Sequence, residues 1–420
     1  MKILELAGSG SIGTNNMGPV SNVILQLSNY FHDFGHDVTL ADAKIGAPRE
    51  ALVKGVRLVE TDSKPRATLL AAQNSKLPHS IDTLYRKISR YYKPLINEHK
   101  FVKDVAGKLD LRSFDIIHVH EVIPALILNK LCKAEVVYTA HTPSWCNPFE
   151  YKGLMGGIRK LRFSLLNVLG LQEIALIKNC LLTIALGDYL KEKIPEAVIS
   201  VIPNGTNLYQ WNQLDKREVR KRMDISEDEL VIIFVGRVSP IKGIDVLLNA
   251  IRLLSPQLAN LKLIIIGSLS GSFSQRDKIT PYAKMLMKKA KDLPVEFKGF
   301  ISNRSEEFLV QLSAADLFVV PSLFEPQGIV VLEALSMELP VIASRTGGIP
   351  QMITEDVGKL FEPGNHCELA DHINELYNNR DKLMAMKGLC RKHIEENFSW
   401  RMAAEKHIKV FSKITKQKGV

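Results

Sequence analysis

Ala314-Ala-Asp-Leu-Phe-Val-Val-Pro-Ser-Leu-Phe-Glu325-Pro-Gln-Gly328-Ile-Val-Val-Leu-Glu333 changes character twice. Ala314–Ser322 reads as an apolar strand emptying into a loop, and after Gly328 the residues Ile329–Met337 read as a helix. A short apolar run, proline and glycine punctuation, then a helical segment is one strand–loop–helix unit of a parallel sheet covered by helices. Working outward, the alternation repeats at Leu230–Val235, Leu261–Ile266, Val295–Phe297, Leu317–Val320 and Val341–Ala343. The first half carries its own series: Ile3–Ala7, Val38–Ala41, Ile116–His120, Val136–Ala140, Leu181–Ala185 and Ser200–Ile202. The series restarts after Pro203-Asn-Gly205, so two α/β domains are expected, 1–203 and 204–397. Residues 398–420, with Phe398, Trp400, His407, Val410 and Phe411, read as a terminal helix.

A chain of 420 residues is long for one domain and comfortable for two. With 46% hydrophobic and 24% charged residues, extensive disorder is excluded. The net charge of +10 calls for anionic partners without choosing among nucleotide phosphates, acidic lipids and nucleic acid. No nucleic-acid-binding module or long basic stripe is visible, so nucleic acid is not an expected partner. The five cysteines (Cys132, Cys146, Cys180, Cys367, Cys390) are scattered and form no Cys-x-x-Cys pair. Neither a zinc site nor a disulfide framework is expected, and a reducing, cytoplasmic compartment is. Met1–Ala7 meets the acid Glu5 at once and reads as a first strand rather than a leader. No apolar run reaches the roughly 18 residues needed to span a bilayer, so any membrane contact is expected to be peripheral.

Gly8-Ser-Gly10-Ser-Ile-Gly13 fits a dinucleotide-binding fingerprint after a strand, with Asp42 ending the next one. That mechanism needs the helix to open within the glycines, so that its N-terminus can hold a pyrophosphate. Here Thr14-Asn-Asn-Met-Gly18-Pro19 intervenes, and the helical pattern begins only near Pro19 and runs to about Phe34. A glycine-rich loop is the better reading, and a NAD-dependent oxidoreductase stays open as the alternative.

Glu325 precedes the expected helix and Glu333 lies one to two turns inside it. The unpaired N–H groups of the helix start then sit beside Gln327 and Gly328, where an anion binds well and glycine admits a close approach. Five or six helical residues span about 8–9 Å at the helical rise. Two carboxylates so spaced suit hydroxyls on either side of a diphosphate. Gly236-Arg237-Val-Ser-Pro-Ile-Lys242-Gly243 forms another strand-to-helix loop. Cations are mildly disfavoured at a helix N-terminus, by about 0.3–1 kcal/mol, and an anionic ligand reverses that sign.

Together with Ile202-Pro-Asn-Gly205, Leu263–Gly267, Ala315–Ser322 and Thr346-Gly-Gly-Ile-Pro350, these pieces resemble the family 4 glycosyltransferases. The first-half match is looser: Gly18, Gly35-His36 and Thr139-Ala-His141. The resemblance implies a GT-B fold, with two Rossmann-like doubly wound domains facing an interdomain cleft and the last helix crossing back to the first domain. It implies a retaining, hexosyl-type transferase that uses a UDP- or GDP-linked sugar and a glycan or lipid-linked acceptor; another GT-B nucleotide-sugar enzyme, such as an epimerase, stays open. By the same resemblance Arg237 and Lys242 hold the diphosphate and Glu333 the ribose hydroxyls. The backbone of Gly328, Ile329 and Val330 approaches phosphate and sugar. Glu325 contacts the transferred sugar, and His141 is the cleft histidine set against it. Gly18 and His120 belong to the cleft loops. No cofactor and no metal are expected, since no Asp-x-Asp pair is present to hold a divalent ion to a diphosphate. Proline at position 19 removes a backbone donor that relatives with Gly-Gly retain. The basic, apolar stretches Tyr85–Lys93 and Lys152–Phe163 read either as membrane-surface segments or as amphipathic helices with a solvated face.

Overall fold

The computed structural model describes residues 1–7, 19–43, 55–62, 96–132, 136–141, 143–146, 170–270 and 279–418. Gly8–Gly18 and the two basic stretches, 85–93 and 152–163, lie outside the described residues. The described chain falls into two compact units, residues 1–202 with 400–418, and residues 203–399.

The first unit is built on a parallel sheet in the order β3-β2-β1-β4-β5-β6-β7. Its strands are β1 (Lys2–Leu6), β2 (Asp37–Ala43), β3 (Arg57–Thr61), β4 (Ile116–Val119), β5 (Val136–Ala140), β6 (Leu182–Ala185) and β7 (Ile199–Val201). The second unit has the parallel order β10-β9-β8-β11-β12-β13. These strands are β8 (Leu230–Val235), β9 (Leu261–Ile266), β10 (Val295–Gly299), β11 (Leu317–Val320), β12 (Val341–Ser344) and β13 (Gly358–Phe361). Counted from its own first strand, each sheet runs 3-2-1-4-5-6, the doubly wound order, and the first sheet adds a seventh strand beyond the sixth. The order reverses between β1 and β4, where Glu5 is level with His118, and between β8 and β11, where Leu317 is level with Ile232. In such sheets ligands bind beyond the carboxyl ends of the strands at these reversals.

Both faces of the second sheet are covered, which is why its strands read as unbroken apolar runs. Val231 and Ile233 pack against helices Glu306–Ala314, Ile329–Ser336 and Arg380–Asn397. Leu230, Ile232 and Phe234 face the other way, against helices Ile244–Leu254, Pro281–Lys289 and His366–Asn378. Each such fully buried side chain contributes about 1.5–3 kcal/mol.

In the first unit, helix Pro19–Asp33 packs Val23, Ile24, Leu27 and Phe31 on the sheet. Helix Trp400–Lys418 adds Trp400, Ala403, Ala404 and Phe411 to the same core. Phe31 and Phe411 meet edge to face at 5.8 Å, a geometry worth about 0.5–1.5 kcal/mol beyond burial. Where the chain enters and leaves the second unit, Thr206 pairs with Ser399, and Thr206 N–H donates to the Phe398 carbonyl at 2.9 Å. Among the described residues no helix is long and apolar enough to cross a membrane.

Candidate active site

The two loops that leave β8 and β11 are locked together. Leu323 N–H donates to the Ile241 carbonyl at 2.8 Å. Gly243 adopts φ +63°, and a Cβ there would overlap the Pro321 carbonyl oxygen. A third loop closes on them after β12: Gly347, at φ +56°, leaves no room for a Cβ against the Glu325 carbonyl oxygen. Gly348 N–H donates to that same oxygen at 3.2 Å. The Thr346-Gly-Gly-Ile-Pro350 stretch therefore fixes the backbone of Glu325, with glycine required by both conformation and space.

Five helices of the second unit, beginning after Asp215, Thr280, Ser305, Asn365 and Asn379, are capped by a side chain accepting a backbone N–H. The helices Ile244–Leu254 and Ile329–Ser336 start instead at Gly243 and Gly328, both left-handed and without a side-chain cap. Val331 N–H bonds the Gly328 carbonyl at 2.9 Å, while those of Ile329 and Val330 have no partner among the described residues. The two uncapped starts are the two that follow the candidate loops. Open N–H groups in a turn of glycine are a ready anion site.

Around that opening, Lys242 Nζ donates to Glu325 Oε2, and Ser322 Oγ lies 3.5 Å from the same oxygen. Glu325 is 9% exposed, so the lysine supplies the charge that a desolvated carboxylate needs. The two residues that the sequence assigned to separate tasks are thus in direct contact. Arg237 is exposed and has no ion-pair partner among the described residues. Between it and Lys242, Ser239 Oγ is buried without a hydrogen-bond partner there. Glu333 is half-buried on helix Ile329–Ser336, and burial pushes its carboxyl up to about 7 against a hydrogen bond from Asn303.

Gln327, which the sequence places beside the helix start, is a clamp. Its Oε1 accepts from Asn204 N–H and its Nε2 donates to the Asn204 carbonyl, both at 3.1 Å. The side chain mimics a strand pair and ties the Pro203-Asn-Gly205 turn to the Glu325 loop.

The histidines belong to the first unit. Glu5 Oε1 accepts from His118 Nδ1 at 2.8 Å and Oε2 from His120 Nε2 at 2.9 Å. His120 Nδ1 lies 2.9 Å from His141 Nε2, and His118 Nε2 lies 2.7 Å from Thr139 Oγ1. Burial alone would raise the Glu5 carboxyl, but the charge and hydrogen bonds of the two histidines outweigh it and hold it at about 2. Desolvation lowers His120 to about 4 and His141 well below the usual imidazole range.

Two family models account for most of the chain. One for glycosyltransferase family 4 matches residues 20–210, and one for glycosyl transferases group 1 matches residues 215–393. The chain belongs to the family 4 glycosyltransferases. It is 26% identical over 319 residues to an uncharacterized glycosyltransferase of Methanocaldococcus jannaschii, covering 73% of this chain and 77% of that one. It is 26% identical over 394 residues to a sulfoquinovosyl transferase of Arabidopsis thaliana, covering 90% and 67%. A D-inositol 3-phosphate glycosyltransferase of Nocardia farcinica is 34% identical over 220 residues, and there the match spans about half of each protein, 51% and 47%. Among solved structures, a sucrose-phosphate synthase from Thermosynechococcus elongatus superposes with a TM-score of 0.73 at 20% identity, covering 99% of both chains. Anabaena HepE in complex with UDP gives 0.68 at 19%, covering 98% of this chain and 100% of that one. These likenesses establish the GT-B fold.

For this glycosyltransferase the sequence reading brought out Arg237, Lys242, Gly328, Ile329, Val330, Glu325 and Glu333, which fall on two loops and one helix of the second unit. His120 and His141 fall together in the first unit, and Gly18 lies outside the described residues. Glu5 and Asn303 were missed. The signal for Glu5 was present, since a charged side chain within the apolar run Ile3–Ala7 requires a buried partner.

Proposed function

We propose that this glycosyltransferase takes a hexosyl-type sugar from a UDP- or GDP-linked donor and passes it, with retention of anomeric configuration, to a glycan or lipid-linked acceptor. The observation that carries the reading is the uncapped start of helix Ile329–Ser336, with the Lys242–Glu325 pair beside it. The donor diphosphate is neutralised by Arg237 and Lys242 and bonded by the N–H groups of Ile329 and Val330. Lys242 already balances Glu325, and a diphosphate gives the same ammonium a second anion. Glu325 accepts from hydroxyls of the transferred sugar and Glu333 from the ribose. His141 also serves the sugar. The leaving phosphate takes the acceptor proton on the face it departs from, so no separate side-chain base is needed. Arginine and lysine stabilise the charge that develops there, and no divalent metal is called for. A cytoplasmic enzyme with peripheral membrane contact fits the net charge of +10 and a lipid-linked acceptor.

The test is a panel of UDP- and GDP-sugars scored by melting temperature, donor hydrolysis and the anomeric configuration of the product. We expect one donor family to raise the melting temperature and turn over in excess EDTA. Glu325→Ala, folded by circular dichroism, should lose turnover by about 100-fold or more. No shift with any nucleotide sugar sinks the reading. Free epimerised donor, rather than transfer, would favour an epimerase.

A further inference from the structure

The first unit contains a buried polar chain longer than the proposed chemistry requires. It runs Thr139–His118–Glu5–His120–His141 at the carboxyl ends of β1, β4 and β5, beside the reversal in strand order. Exposure is 2% for Thr139, zero for His118 and Glu5, 3% for His120 and 8% for His141. The chain thus has one end nearest to solvent, and that end is His141. Around it, His407 of helix Trp400–Lys418 lies 5.6 Å from His118, ring to ring, with Nδ1 on the Ala403 carbonyl at 2.7 Å.

Glu5, His118 and His120 have the ligand types and proximity of a metal site, their ligand atoms lying within 4.8 Å of one another. Those same atoms are already spent on one another: each carboxylate oxygen meets one ring nitrogen at hydrogen-bond length. A continuous chain of hydrogen bonds is what this geometry holds.

The direction of every hydrogen bond follows from the acid. An ionised carboxylate only accepts, so His118 Nδ1 and His120 Nε2 both carry hydrogen. A neutral imidazole that donates from one nitrogen accepts at the other. His120 Nδ1 therefore accepts, and the hydrogen between the two rings sits on His141 Nε2. That leaves His141 Nδ1 as a bare lone pair, and it has no hydrogen-bond partner among the described residues.

We infer that His120, anchored by Glu5, is a positioning residue that fixes His141 in its Nε2–H tautomer, so that His141 meets a substrate sugar hydroxyl as an acceptor through Nδ1. The inference rests on the proposed role of His141 at the sugar, but the tautomer itself is a property of the free protein. A histidine set in this way discriminates: it bonds a hydroxyl and rejects a carbonyl or ether oxygen at the same place.

Nitrogen-15 NMR of histidine-labelled protein at pH 7.5 reads the tautomer directly. We expect His141 as a single Nε2–H form in the native protein, and a mixture or the Nδ1–H form in His120→Phe, which offers no acceptor. His120→Asn places an amide oxygen where Nδ1 stood and should restore the Nε2–H form. With whichever of UDP-glucose and GDP-mannose turns over, kcat/KM should fall about 10- to 100-fold in His120→Phe and recover in part in His120→Asn. Among monodeoxy donors, the one that lacks the recognised hydroxyl should turn over alike in native and His120→Phe proteins. An Nδ1–H form of His141 in the native protein overturns the inference, as does stoichiometric metal in the purified chain. If neither donor turns over, the function reading fails while the tautomer result still stands.

Discussion

Burial pushes the Glu333 carboxyl up to about 7, so the folded chain resists ionising it at neutral pH. Below about 4.5 the acid is protonated whether folded or not and has no effect on stability. As pH rises from there through 7 the unfolded chain gives up the proton first, and the folded state loses stability over that window. Glu333→Gln removes the effect. Its unfolding free energy should pull ahead of the native protein's between pH 5 and 8, by about 1–3 kcal/mol at most in urea unfolding, since the side chain is only half-buried. Donor affinity should move the opposite way. A carboxylate that accepts from ribose hydroxyls binds best when ionised, so the native donor KM should rise from pH 8 to pH 6 and that of Glu333→Gln should stay flat. A pH-independent native KM would detach Glu333 from the donor.

At the scale of elements, the site is a matter of loops held by glycine. Gly347 combines φ +56° with a missing Cβ against the Glu325 carbonyl oxygen, so Gly347→Ala must displace that loop. It should lower kcat/KM at least 10-fold and stability by about 1–3 kcal/mol, as measured by turnover and urea unfolding. An equal loss in Gly388→Ala, a helix position where a Cβ meets nothing, would show that the effect is not local to the site.

Most strands were legible because parallel strands covered on both faces are apolar throughout, and β5, β8, β9 and β11 match their expected runs residue for residue. Two strands were not foreseen, Arg57-Leu-Val-Glu-Thr61 and Gly358-Lys-Leu-Phe361. Both lie at the outer edge of a sheet, where half the side chains face water and the apolar signal thins. The site was legible in its residues and not in its pairings. Spacing along a loop says that Lys242 and Glu325 each face a helix start; it takes the order of β8 and β11 to say that they face each other. Likewise nothing near Gln327 announces Asn204, since the two are brought together by tertiary structure alone.

Over the whole molecule, the last helix is, among the described residues, the element that belongs to a unit its neighbours in sequence do not share. A chain ended at Ser399 would leave Val23, Ile24, Leu27 and Phe31 without Trp400 and Phe411. The loss for those two side chains alone is about 3–6 kcal/mol. We expect the first unit to melt early or not to fold, while UDP or GDP still protects the second unit, which carries Arg237, Lys242, Glu325 and Glu333. Nucleotide protection lost along with the helix would place the nucleotide elsewhere.

The same return of the chain sets an order of assembly on the ribosome. Residues 203–399 form their own sheet and both its helical layers, so that unit is complete as soon as it clears the exit tunnel. The first unit emerges earlier yet waits for Trp400–Lys418 to close its core, through the synthesis of every residue in between. During that wait its apolar face is open, and domains ordinarily fold in the order in which they are made. Here the half made second can reach its native state first, while the early half still exposes the face that Trp400–Lys418 covers.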